Sequence, residues 1–266
     1  MKKGARAADA KAATVARPAK AVASASASAS ASATSVASVP SAVARAAKGQ
    51  AAAGPAPVVA DILQVATREF AAHGLAGARV ERIVQHTRTS KRMIYYHFGS
   101  KEGLFRAVLD HAFASVRKED HAFDPDAGTP EQALRTMVGN AFRAFTQHPE
   151  FVRLLTYENL SGAQFIRASP LVSHLNRRAM ADMQRVIERG QHEGTIRSDI
   201  RAIHVYINMV GLCYYHVAHQ AGYRAGGFGR RLDRSFGGAA FERQRRRAIE
   251  DACWRYVRAD QGRPGA

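Results

Sequence analysis

From Val59 to Val116, apolar side chains recur every third or fourth residue in three runs, separated by interruptions only a few residues long. Val59, Ile62, Leu63, Ala66 and Phe70 form the first run, and Val80, Ile83 and Val84 a short second one. Leu104, Phe105, Val108, Leu109, Ala112, Phe113 and Val116 form the last. A strand puts alternate residues on one face, whereas a helix puts every third or fourth there, so this spacing specifies helices that each bury one stripe. Gly74 is placed to end the first helix in a left-handed turn, which a residue without Cβ enters freely. Thr87, Arg88 and Thr89 leave room only for an abrupt change of direction.

The segment after that turn, Thr89 to Phe105, reads T-S-K-R-M-I-Y-Y-H-F-G-S-K-E-G-L-F. The Ser90 hydroxyl can accept from a first-turn N–H, so a short helix from Lys91 to about Tyr96 is predicted. Met93 and Ile94 point to one side, while Lys91, Arg92, Tyr95, Tyr96 and His97 supply donors for phosphates or base edges. Gly99 and Ser100 break this helix and start the next, which is a packing helix. A short helix, a tight turn and a short basic helix make a helix-turn-helix, here at about residues 79–98.

Ser90 to Leu104 resembles the amino-terminal domain of TetR-type transcriptional regulators, with the pattern S-K-x-x-[LI]-Y-x-[HY]-F-x-[SN]-K-E-x-L, and the resemblance covers about Val58 to Leu109. It implies DNA contacts by Ser90 and Lys91 at the start of the recognition helix, by Tyr95, Tyr96 and His97 near its end, and by Lys101 after the break. By the same resemblance Tyr95 and Lys101 are phosphate anchors, and Arg92 and Met93 face bases. An arginine paired with guanine O6 and N7 contributes about 1–3 kcal/mol of discrimination. Two departures stand out. Ala78 replaces the usual threonine cap of the second helix, at a loss of roughly 1 kcal/mol. Arg88 replaces the frequent turn glycine and is strained if the turn keeps a positive φ.

Charge agrees with an anionic polymer as partner: 39 Lys plus Arg stand against 22 Asp plus Glu, a formal +17. Residues 1–57 hold eight Lys or Arg and one Asp, which makes them +7 and the remainder +10. This tail alternates Ala and Ser over residues 21–39 and has no large apolar side chain to anchor a core before Ile62, so disorder is expected. It reads equally as a non-specific phosphate tracker and as a dispensable extension. It lacks the leucine-rich centre of a secretory signal, and the chain has no run of about 18 apolar residues, so a cytoplasmic protein is expected. Cys213 and Cys253 are too few for a disulfide scaffold and read as buried thiols.

Residues 129–257 read as further helices, so the expected fold is all-α: a tail (1–57), a three-helix DNA-binding domain (58–110) and a helical effector-binding and dimerisation domain (111–260). Thr129, Pro130 and Gln132 form a capping box for a helix that buries Leu134, Met137, Val138, Ala141, Phe142 and Phe145. The block H-P-E-F-V-R-L-L-T-Y-E-N-L from His148 resembles a TetR subgroup that includes the pyrimidine-utilisation regulator RutR. A helix over Leu171 to Gly190 comes next. Ser198 or Asp199 then caps an apolar helix ending near Gly222, and the last helix runs from about Ala240 to Arg258 with Phe241, Ala248, Ile249, Ala252, Cys253, Tyr256 and Val257 as its apolar face. The resemblance implies that these last two long helices form a dimer interface, with Gly211 allowing close approach, and that a ligand pocket lies among the middle helices. Phe142, Glu158, Asn159, Gln164, His174, Asn208 and Tyr214 are the candidates to line it. His216 and His219 share a helix face but lack a third ligand, so no metal and no other cofactor is expected.

The expected function is a dimeric, sequence-specific transcriptional repressor that leaves a palindromic operator in double-stranded DNA when a small-molecule effector binds. The alternative is a nucleoid-type architectural protein that binds DNA through its basic tail. The chain has no nucleophile elbow, P-loop or dinucleotide fingerprint, so no catalytic residue is assigned.

Overall fold

Pro57, with no N–H to leave unpaired, opens the first helix of the computed structural model, which describes residues 57–118, 122–226 and 238–260. The first 56 residues of the tail and most of the Gly-rich segment after Arg224 lie outside the described residues. Helix α1 (Pro57–Gly77) buries Ile62, Leu63, Ala66 and Phe70, and at Gly74 the backbone leaves helical geometry at φ 63. Helices α2 (Val80–Gln85) and α3 (Lys91–Phe98) follow as a helix-turn-helix, and α4 (Lys101–Val116) packs against α1. The expected domain boundary near residue 110 falls inside α4.

Helix α5 (Pro130–Gln147) starts at the expected capping box: Thr129 Oγ1 accepts from the Gln132 N–H, and Gln132 Oε1 from the Thr129 N–H. Next come α6 (Pro149–Leu160), the single-turn α7 (Gln164–Ala168), the long α8 (Pro170–His192), α9 (Ala202–Ala218), α10 (Gln220–Ala225) and α11 (Ala239–Val257). Helix α9 packs against α5, α6, α8 and α11. Arg135 of α5 pairs with Asp251 of α11 at 2.7 Å. An antiparallel bridge between Ile196 and Arg258 fastens the end of α11 to the α8–α9 turn. One apolar core runs without a break from Ile62 to Val257.

The structure corrects several local expectations. The residue capping α2 is Arg79 rather than Ala78, and Ala78 is buried. The missing threonine is compensated from α1, where Glu69 accepts from the Arg79 N–H and the Arg82 guanidinium, both at 2.8 Å. Burial opposes ionisation of Glu69, yet these hydrogen bonds and the Arg82 charge hold its carboxyl below the ordinary value. Arg88 is unstrained: Ala163 is the non-glycine residue at positive φ among those described. Helix α3 runs two residues past Tyr96, because Phe98 is buried and Gly99, at φ 76, supplies the stop. Met93 is exposed while Ile94 is fully buried. Neither Ser198 nor Asp199 caps α9: Arg201 is its N-cap and makes no side-chain bond, while Asp199 pairs with Arg197. On α11, Ile249, Cys253 and Val257 are buried, but Ala248, Ala252 and Tyr256 face outward.

Candidate DNA-binding surface and effector cavity

The DNA-facing surface follows from how α3 is pinned. Ser90 Oγ accepts from the Met93 N–H (3.3 Å) and sets the first turn, while Ile94 and Phe98 anchor one face in the core. The opposite face is therefore outward: Ser90, Lys91, Arg92, Met93, Tyr95 and Tyr96 are exposed, Tyr96 by 78%. His97 is half-buried and its ring meets Tyr96 edge-on at 5.3 Å. Lys91 Nζ bonds Glu81 of α2 at 2.5 Å, an interaction that raises the Lys91 pKa and ties the two short helices together. Lys101, half-buried, donates to the Ala76 carbonyl at 3.3 Å and joins the start of α4 to the end of α1.

Helix α4 carries this reading head into the rest of the molecule. Its start is held by Ser100 Oγ, which accepts from the Gly103 N–H (3.1 Å), and Gly103 sits directly under the end of α3. Midway, Phe105 meets Phe70 of α1 at 5.0 Å and Phe165 of α7 at 5.2 Å, both edge-on. The buried Asp110 accepts from the hydroxyl of Ser169 (2.5 Å), which also caps α8. On α6, the Tyr157 ring lies over Gly74, where a Cβ would come within 3.1 Å of it.

At its far end α4 reaches a cavity of about 260 Å³. Phe113, Val116 and Arg117 from α4 line it, with Phe145 from α5, Phe151 and Asn159 from α6, Asn176 and Asp182 from α8, and Tyr206 and Met209 from α9. Of the residues expected to line a pocket, Asn159 does so. Glu158 is buried and accepts from the Phe165 and Ile166 N–H groups, which makes it the cap of α7. Tyr214 bonds Thr156 at 2.6 Å and ties α9 to α6, and Phe142 stacks on His216 at 5.2 Å inside the core. His174, Asn208 and Gln164 are exposed.

The error on α8 and α9 has one cause. His174 and Asn208 each lie two residues from a true cavity residue, Asn176 and Tyr206, and two residues turn a helix by about 200°. The sequence signal for Arg117 was available, because it directly extends the buried series Phe113, Val116 at the end of α4. His216 and His219 do not share an environment either: His216 is buried and His219 is exposed, stacked on Tyr215 at 3.9 Å. Burial pushes the thiol of Cys213 up to about 12 and that of Cys253 to about 11, so both are held as unreactive thiols.

Burial raises the Asp110 pKa above its ordinary value, against the opposing effects of the Ser169 hydrogen bond and the Arg106 charge. The folded state thus prefers the protonated acid. The stability this contributes is complete below the ordinary carboxylate range and is lost as pH rises through the raised value. Asp110→Asn keeps an acceptor for Ser169 without the charge, and its melting temperature at pH 8 is expected to equal or exceed that of the parent. A clear fall at pH 8 in calorimetry would show that ionised Asp110 is stabilising.

A helix-turn-helix with an exposed polar face, carried on a helical body with an internal cavity, defines a DNA-binding regulator that responds to small molecules. Residues 62–108 match the family described as bacterial regulatory proteins, tetR family, and residues 130–252 match the tetracyclin repressor-like C-terminal domain. The chain is 38% identical to the HTH-type transcriptional repressor NicS of Pseudomonas putida over 156 residues, 59% of this chain and 74% of that one. It is 29% identical to the repressor SCO4008 of Streptomyces coelicolor over 63% of this chain and 82% of the other. In structure it is similar to the ketosteroid regulator KstR2 of Mycobacterium tuberculosis, with a TM-score of 0.55 at 21% identity over 79% of this chain and all of that one, a likeness of fold. The chain belongs to the TetR family and is a DNA-binding transcriptional repressor with a helical effector-binding domain. The relatives are transcriptional regulators, not enzymes, and the narrower resemblance to the RutR subgroup rests on its short motif alone.

Proposed function

We propose that the protein acts in the cytoplasm as a homodimer that reads a palindromic operator with two copies of α3 and leaves it when a small molecule occupies the cavity beside Arg117. Among the described residues no helix is long and apolar enough to cross a membrane. The observation that carries this reading is the continuity of α4, which begins under the recognition helix at Lys101 and ends in the cavity wall at Arg117. Three contacts bind its middle and its surroundings to the effector region: Phe105 with Phe165, Asp110 with Ser169, and Gly74 with Tyr157. An effector that favours one placement of α4 over another changes the separation of the paired recognition helices, and operator affinity falls by that difference.

Pairing through α9 and α11 is supported by what these helices leave uncovered. Ile203, Ile207, Gly211 and Tyr215 form one exposed line on α9, and Gly211 meets nothing within 4 Å. Ala248, Ala252 and Tyr256 form another on α11. Small residues between apolar ones let two helices approach closely.

On this reading Ser90, Lys91, Arg92, Met93, Tyr95, Tyr96, His97 and Lys101 make the DNA contacts, and Lys91 exchanges Glu81 for a phosphate. A gel-shift assay on DNA upstream of the protein's own gene is expected to show preference over scrambled DNA at moderate salt, and equal binding to both would end the case for specific regulation. Arg92→Ala is expected to cost about 1–3 kcal/mol and to relax preference at one base pair. Lys101→Ala is expected to weaken binding to all sequences and lower the salt slope by about one, as fluorescence anisotropy against salt would show. Removing residues 1–57 is expected only to soften the salt dependence, whereas loss of all binding would favour the architectural role.

A further inference from the structure

Arg117 caps the end of α4, and its Nη2 donates to Tyr206 Oη at 2.6 Å and to Asn176 Oδ1 at 3.2 Å. Both acceptors are neutral, so they orient the guanidinium in the cavity without cancelling its charge. Its planar fork matches a carboxylate, which it can bind through two parallel hydrogen bonds.

Beside it, Phe113, Phe145 and Phe151 build an aromatic wall: Phe113 meets Phe151 edge-on at 5.0 Å, and Phe145 stacks on Phe151 at 6.0 Å. Flat rings favour offset or edge-on contact with another ring. The volume sets the size of the occupant. A cavity of roughly 150 Å³ holds a benzene molecule, so about 260 Å³ holds a single ring with one or two substituents. Asp182 also lines this space, and as an acceptor it suits a hydroxyl or N–H on the same ring.

Resting on the assignment of this cavity as the effector site, we propose that the effector is a single-ring aromatic carboxylate, its ring against Phe113, Phe145 and Phe151 and its carboxylate on Arg117. A carboxylate drawn to Arg117 acts on the last residue of the helix that leads to the DNA-reading head, so recognition and release share one side chain.

Isothermal titration of the full chain with benzoate, benzamide and benzylamine tests this. Benzoate is expected to bind at least about tenfold more tightly than benzamide, the difference a charge-assisted fork confers over a neutral amide. Arg117→Gln is expected to bring the two to parity while operator binding persists, which shows that the variant is folded. Arg117→Lys, with the charge but without the fork, should fall between. Undetectable benzoate binding, or a benzoate preference that survives in Arg117→Gln, overturns the proposal. Benzylamine binding as tightly as benzoate overturns the anionic class and leaves the effector cavity standing. Benzoate binding undiminished in Ala144→Trp, which fills the cavity, overturns the effector-site assignment as well.

Discussion

Gly103→Ala is expected to lower the melting temperature by roughly 5–10 °C, the equivalent of about 2–3 kcal/mol in a chain of this size. A Cβ at this position would stand 2.0 Å from the carbonyl oxygen of Phe98, well inside contact distance. The obstacle is backbone, not a flexible side-chain tip. Phe98 is fixed by its own burial and by the stop at Gly99, and Gly103 is fixed by the cap from Ser100. The extra methyl can therefore be accommodated only by moving α3 relative to α4. Specific operator binding should fall with it, by at least about tenfold, because the position of the recognition helix in the groove sets the contacts it makes. Gly222→Ala is the matched control: a Cβ there meets nothing within 4 Å, and alanine inside a helix is favoured by roughly 0.5–1 kcal/mol. Equal melting temperatures for the two variants would show that the α3–α4 junction yields without cost.

Ile207→Glu is expected to turn the dimer into a monomer and reduce specific operator affinity by more than about 100-fold. The side chain is 57% exposed on a single chain, so its replacement should leave the fold and the melting profile of the monomer intact. In a twofold interface the substitution occurs twice, and each carboxylate is buried without a partner, a loss of several kcal/mol. A monomer reads one half-site only, whereas the dimer adds the contacts of both. Light scattering coupled to gel filtration, together with anisotropy on operator DNA, measures the two effects separately. A dimer that persists with Ile207→Glu would mean that α9 does not form the interface.

The reading head was legible in the sequence because what defines it is local. Ser90 caps α3 and Ser100 caps α4 through residues three positions on, and the apolar spacing that names α1, α2 and α4 is set within each helix. The cap of α2 was not legible, because its loss at Ala78 is compensated by Glu69, ten residues before Arg79. Nor was the role of Glu158, which looked like a polar group awaiting a ligand and proves to hold α7 in place. The cavity was the least legible feature. His174 and Asn208 were sound choices by composition, but helix phase turns them to solvent and turns Asn176 and Tyr206 inward.

The sequence by itself determined the helical class, the helix-turn-helix and the identity of its outward donors, since periodicity, capping and turn chemistry act over three or four residues. Tertiary structure alone decided which polar groups share a space. Arg117 meets Asn176 and Tyr206 across 59 and 89 residues of chain, and no local pattern encodes such a meeting. It depends on the rotation of α8 and α9 about their own axes, which is set by how all the apolar stripes pack at once.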